Sequence, residues 1–199
     1  MPNRLHFKDG YLPSSNFSIP NRHMHPIEIR RAVAADAHAL SDLALRTFRD
    51  TFAESNSVED VAAHIAQWYS PTLQLAQIES PAVRTLLVEE GGTLIAYAQL
   101  RSGHVPDCVA VRTAIELWHF YVDRAWLGRG IAQRLMQSVR DEASACGTNT
   151  IWLGVWEHNP RAIAFYRKCG FREVGSHAFF LGSDRQTDLI LVSDAVVAA

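Results

Sequence analysis

The sequence predicts an α/β fold of the mixed (α+β) kind, a central mixed sheet of about six to seven strands with helices on both faces. Three observations carry that expectation. Strand-like and helix-like stretches follow one another along the chain with no internal repeat and no low-complexity linker between them. The buried-strand run Ile115 to Val122 leads into a glycine-bearing turn, Trp126-Leu127-Gly128-Arg129-Gly130-Ile131-Ala132. After it, Ile131, Leu135, Val139 and Ala143 recur every four residues, the spacing of a helix with one apolar face. Finally, 199 residues suit one domain with a proper core.

Taken in order, residues 1–25 carry Pro13 and Pro20 among Asn, Ser and His and are expected to be a flexible extension, leaving 26–199 as the single domain. Ile27-Glu28-Ile29-Arg30-Arg31 alternates apolar and charged residues as a first strand does. Asp36 stands as the expected N-cap of a helix carrying Leu40, Leu43, Ala44 and Phe48. A second helix is expected from Val58 to Trp68, and a short third segment lies between Pro71 and Pro81. Residues 85–89 and 93–101 read as a hairpin across Glu90-Gly91-Gly92. Beyond the turn and its helix, which Gly147 closes, Thr150 to Val155 is another buried strand. Asn159-Pro160 opens a short helix with Asn as cap and Pro in the first turn, ending near Gly170. Residues 171–174, 178–181 and 189–192 supply the last strands.

Composition narrows the partners. With 19 basic and 21 acidic residues the formal charge is −2, so no general nucleic-acid binder is indicated. Cys108, Cys146 and Cys169 form neither a C-x-x-C pair nor a His/Cys cluster, which argues for reduced thiols rather than a disulfide framework or a zinc site. Cys146 and Cys169, each before a glycine at a helix end, are expected to be small buried side chains. No apolar run reaches membrane-spanning length, and the protein is expected to be soluble and cytoplasmic.

The glycine turn points a helix N-terminus beyond the end of a strand, where backbone N–H groups and the helix dipole suit an anion such as a phosphate. Gly128 and Gly130 would let that group come close to the backbone. With the turn so placed, the chain resembles the GNAT superfamily of acyl-CoA-dependent N-acetyltransferases. Leu127 to Ala132 is similar to that family's Q/R-x-x-G-x-G/A pyrophosphate turn, with Leu127 in place of the leading polar residue. Asn159-Pro160-Arg161-Ala162-Ile163-Ala164-Phe165-Tyr166, running on to Gly170-Phe171, resembles the N-x-x-A-x-x-F-Y-x-x-x-G-F segment. Residues 151–157, 175–182 and 186–190, with Thr47 to Phe52, look most like the bacterial spermidine/spermine acetyltransferases of the PaiA type.

The resemblance implies a splayed GNAT-like sheet, acetyl-CoA as acyl donor, no metal, and direct attack by a primary amine without a covalent enzyme intermediate. It implies a polyamine such as spermidine or spermine as acceptor. A protein N-terminus or lysine, or a non-catalytic CoA-sensing role, stands as the alternative. The expected partner is a small-molecule amine, with no nucleic acid and no membrane, and a homodimer is compatible with the sequence. For the donor, the resemblance implies backbone N–H groups of Gly128, Arg129, Gly130, Ile131 and Ala132 on the pyrophosphate, the strand Phe120-Tyr121-Val122 along the pantetheine arm, and Asn159 beside it. Tyr166 takes the place of the general acid for the thiolate, and a phenol near pKa 10 suits that task.

The amine poses the harder problem, because near pKa 10.4 only about one molecule in 10³ is neutral at pH 7. Glu116, on a strand expected to be covered on both faces, is the candidate base or substrate anchor. Strand alternation puts it with Trp118, Phe120 and Val122 and turns His119 to the opposite face. Gly154 stands where many family members carry a Glu, and His177, Glu157 and Asp188 follow as second-rank candidates.

Overall fold

The computed structural model describes residues 25–182 and 184–194, so the extension expected over residues 1–25 lies almost wholly outside the described residues. Seven strands form one sheet in the order β1-β2-β3-β4-β5-β7-β6. They are β1 (Ile27–Arg31), β2 (Val83–Glu90), β3 (Thr93–Arg101), β4 (Ile115–Val122), β5 (Thr150–Trp156), β6 (Arg172–Leu181) and β7 (Asp184–Asp194). Every neighbouring pair is antiparallel except β4 with β5. That parallel pair needs a crossover, which the helix α4 (Ile131–Ala145) supplies.

Helices cover both faces, as expected. On one face, α4 and α5 (Pro160–Lys168) pack Ile131, Leu135, Val139, Ala143 and Ile163 against Ile151, Leu153, Val155, Ala98 and Leu100. The four residues read at helical spacing in α4 are all buried. On the other face, α1 (Ala37–Phe52), α2 (Val58–Trp68) and α3 (Pro71–Glu79) set Leu40, Leu43, Phe48 and Val61 against Leu87 and Tyr97. Among the described residues no helix is long and apolar enough to cross a membrane.

Three local expectations change. Asp36 holds the N-cap position of α1, as expected, but its side chain makes no capping hydrogen bond to that helix. Its carboxylate accepts from both terminal nitrogens of Arg30, at 2.8 and 2.9 Å, and from the Val33 N–H, so a cross-chain ion pair has claimed it. The strands expected at 171–174 and 178–181 are one strand, β6, whose polar middle masks its continuity in the sequence and whose register slips between Glu173 and Gly175. Cys146 is exposed and Cys169 half-buried, each at the C-terminal end of its helix, with Cys169 still packed against the core.

Candidate active site

The site grows from a failure of pairing. β5 is bonded along its whole length to β7, from Thr150 opposite Asp194 to Trp156 opposite Asp188. Its ladder with β4 has two registered pairs, Ile115–Ile151 and Glu116–Trp152, after which the strands part. Beyond Glu116 the β4 edge facing β5 therefore offers backbone groups to an extended ligand, as a sheet edge does to an added strand.

Both helices that follow these strands begin at the open end of the V. After β4 the chain makes a short 3-10 turn, Arg124–Trp126, tied by the Ala125 N–H donating to the Asp123 carboxylate at 3.0 Å. Gly128 and Gly130 follow, both left-handed at φ 78, and Gly130 is the N-cap of α4. That alternation turns successive N–H groups toward one concavity, an anion nest at a helix N-terminus. Nothing lies within 4 Å of where a Cβ on either glycine would stand, so the concavity is open and fits a pyrophosphate. Arg129 lies over the Trp126 ring at 4.9 Å. At the other lip, Asn159 caps α5, its side-chain oxygen accepting from the Ala162 N–H at 3.0 Å.

Tyr166 comes from α5 to the wall of this groove. It is buried, edge-on to Phe120, Phe165 and Phe171, and burial, with Tyr121 and Cys169 nearby, raises its phenol well above the ordinary range. Such a group holds its proton until a strong base forms beside it. Phe120 and Val122 turn into the core on the α4 and α5 side, whereas Tyr121 stacks on Tyr97 on the other side, leaving the backbone of all three along the groove.

The alternation expected along β4 is broken. Leu117 pairs with Leu100 and His119 with Gln99, so two steps on β4 oppose one on β3 and Trp118 is the extra residue of a β-bulge. The bulge reverses the facing of everything after it. Glu116 consequently shares its face with His119, not with Phe120 and Val122. Its carboxylate takes Arg101 at 2.6 and 2.8 Å, and Arg101 in turn lies 4.1 Å over the Trp118 ring. Burial raises the Glu116 carboxyl while Arg101, His177 and His104 oppose the rise. The half-buried His119 ring meets the Gln99 side-chain oxygen at 2.6 Å, and desolvation pushes it down to about 3, a neutral imidazole.

The face that carries Glu116 also carries groups the sequence ranked low. Asp188 on β7 sits opposite His177 on β6, and both reach toward Gly154 on β5. Desolvation raises the Asp188 carboxyl to about 6, Glu157 adding to the rise and His177 opposing it. No local signal marks these residues, because two strand registers bring them together. Trp156, paired with Asp188, packs on Phe52, and on the same face Trp118 under Arg101 meets Trp68 edge-on. One cleft, lined by Arg31, Arg84, Ser102 and Cys146, lies at the C-terminal end of α4, and a second, lined by Arg31, Ile78 and Thr85, lies where α3 leads into β2; neither includes a residue of this groove.

Residues 38–171 match the model of the Acetyltransferase (GNAT) family. The chain belongs to that family. An uncharacterized N-acetyltransferase of Mycobacterium bovis is 30% identical over 81% of this chain and 99% of its own length. The N-alpha-acetyltransferase RimI of Mycobacterium tuberculosis is 34% identical over 50% of this chain and 58% of its own. Among solved structures, the PaiA N-acetyltransferase of Thermoplasma acidophilum, in complex with coenzyme A, shares the fold with a TM-score of 0.69 at 21% identity, over 85% of this chain and 99% of that one. As a GNAT protein the chain is an acyl-CoA-dependent N-acetyltransferase, with acetyl-CoA as acyl donor. Among the described residues no His, Cys, Asp or Glu cluster could hold a metal ion.

Proposed function

We propose that this acetyltransferase acylates a cationic primary amine, with polyamines such as spermidine and spermine as the leading acceptors. The reading rests chiefly on one observation: the sheet face opposite α4 and α5 gathers Glu116 from β4, Asp188 from the middle of β7 and Glu157 from just past β5, with Trp156 paired to Asp188 and Trp118, packed on Trp68, under the Arg101 that holds Glu116. Carboxylates attract an ammonium group, and tryptophan faces hold one by cation–π contact. Likeness in fold to a PaiA protein agrees with this choice.

In the mechanism we infer, the N–H groups from Gly128 to Ala132 hold the donor's pyrophosphate, and the β4 backbone at Phe120 to Val122 aligns its arm. Asn159 braces the opposite lip. The amine enters from the Glu116 face and attacks the thioester carbonyl directly; the C–N bond forms, the C–S bond breaks, and Tyr166 gives its proton to the departing thiolate. Glu116, engaged by Arg101, serves as an anchor for a second cationic centre rather than as the base.

Partial likeness to an N-alpha-acetyltransferase supports a second reading, acetylation of a peptide α-amine. A panel of acceptors with acetyl-CoA separates the two: spermidine, spermine, a simple alkylamine and a short alanine-terminated peptide. Turnover concentrated on the polyamines upholds the first reading. Turnover on the peptide alone replaces it with the second.

A further inference from the structure

We propose that Asp188, with His177 at its side, is the base that takes the proton from the incoming amine, working in the space that Gly154 leaves empty. The inference rests on acetyl transfer to an amine but not on which amine. Along β5 the side chains of Leu153 and Val155 enter the core under α4 and α5, so a side chain at Gly154 would point to the other face, where the acceptor arrives. A Cβ built there would stand 3.2 Å from the Asp188 Oδ2 atom and 3.2 Å from the His177 Nε2 atom. The polar ends of both residues thus converge over the lip of the groove at the one position on that lip without a side chain.

The strand registers explain how they arrive. Asp188 pairs with Trp156 on one side and with His177 on the other, and its carboxylate leans over β5 instead of out to solvent. From there it looks across the opening to β4, close enough that its charge raises the Tyr121 phenol. The charged and titratable groups facing it are His177 from β6, Glu157 beyond the end of β5 and Tyr121 from β4. Glu116 lies at the closed end of the V, already engaged by Arg101.

The step balances within these groups. The bound ammonium loses one proton to the Asp188 carboxylate, its nitrogen forms the C–N bond, and the C–S bond breaks with its electron pair on sulfur. Tyr166 protonates that sulfur, the second nitrogen proton is lost to water on the exposed His177 side, and the proton held by Asp188 returns through solvent to the Tyr166 phenolate, so that one proton is released per turnover. A carboxyl raised by desolvation is a better match for this work at neutral pH than an ordinary one.

The test follows kcat/KM from pH 6.5 to 9.5 for the wild type, Asp188→Asn and His177→Gln, using whichever acceptor of the panel the wild type acetylates best. With an alkylamine the wild type is expected to be level above about pH 7, because the enzyme itself removes the proton. Asp188→Asn is expected to fall by about 10²–10³ at pH 7 and to recover about tenfold per pH unit, as solution chemistry supplies the neutral amine. With a peptide α-amine the deficit narrows by about pH 8, where half of that amine is already neutral. His177→Gln removes the neighbour that opposes the rise of the Asp188 carboxyl and is expected to move the ascending limb of the profile to higher pH. Calorimetric affinity for acetyl-CoA and the melting temperature are expected to hold in both variants or, for Asp188→Asn, to rise in temperature. An Asp188→Asn enzyme with the wild-type level profile would overturn the assignment, whichever acceptor is used. A wild type that ignores polyamines would instead overturn the acceptor class and leave the assignment to be judged on the peptide.

Discussion

Replacing Gly130 with valine should separate cofactor binding from folding. Gly130 holds φ 78, where a side chain costs about 1–2 kcal/mol, and a β-branched one lies at the upper end. Because nothing stands within 4 Å of the added Cβ, no clash adds to that cost. Against a typical stability of about 5–15 kcal/mol the variant stays folded and melts a few degrees lower. The same side chain fills the concavity where an anion meets the backbone. Losing two hydrogen bonds to a charged phosphate, at about 1.5–3 kcal/mol each, weakens binding by about 3–6 kcal/mol, or about 10²–10⁴ in Kd. Calorimetric titration with acetyl-CoA and thermal melting are the two assays. A folded variant that binds acetyl-CoA as tightly as the wild type would refute the cradle and the placement of the donor along β4.

Tyr166→Phe removes one oxygen from an enclosed site, so acetyl-CoA affinity should hold while kcat falls by about 10²–10⁴; unchanged turnover would remove the phenol from the reaction. His119 is held neutral at about 3 in the fold but titrates near 6.5 when unfolded, so between those values the unfolded chain binds more protons. Stability should therefore drop by up to about 1.4 kcal/mol per pH unit as pH falls below 6.5, a slope that His119→Gln should flatten in urea titrations. Asp188 has the opposite sign. Its carboxyl is raised from 3.8 to about 6, so folding loses stability as pH rises through that window and stays lower above it. Asp188→Asn should accordingly be more stable than the wild type at pH 7, by about 1–3 kcal/mol, and equal stability in urea would show that the carboxylate carries no such burden.

Where the determining contacts are local, the sequence was enough. The spacing of Ile131, Leu135, Val139 and Ala143 placed α4 on its core face, and Asn159-Pro160 marked the start of α5, because a helix face and a cap are set within a few residues. The glycines of the turn were legible as a place for close approach to the backbone, while their left-handed conformation is what the structure adds. What stayed hidden was decided between strands. The bulge at Trp118 depends on how β4 registers against β3, so alternation read from β4 alone sent Glu116 and His119 to opposite faces when they share one. Asp36 looked like a cap until Arg30 claimed it from another element. Asp188 and His177 lie eleven positions apart in the chain, and only the hairpin register, with a glycine on the third strand, puts their polar ends together.

The extra residue in β4 makes that strand two half-strands of opposite phase. Ile115 to Leu117 follows one alternation and His119 to Val122 the other, with Trp118 as the joint. Strand length is therefore encoded here as firmly as composition. Deleting Trp118 would leave Glu116, His119 and Tyr121 on one face and Phe120 and Val122 on the other, removing only the joint and the ring under Arg101, whereas inserting one residue between His119 and Phe120 would turn Phe120 and Val122 toward the amine's entrance and Tyr121 into the helix-covered core. A chain with that insertion keeps its strand count and loses both walls of the groove at once, so substitutions along β4 are tolerable in a way that a one-residue insertion past the joint is not.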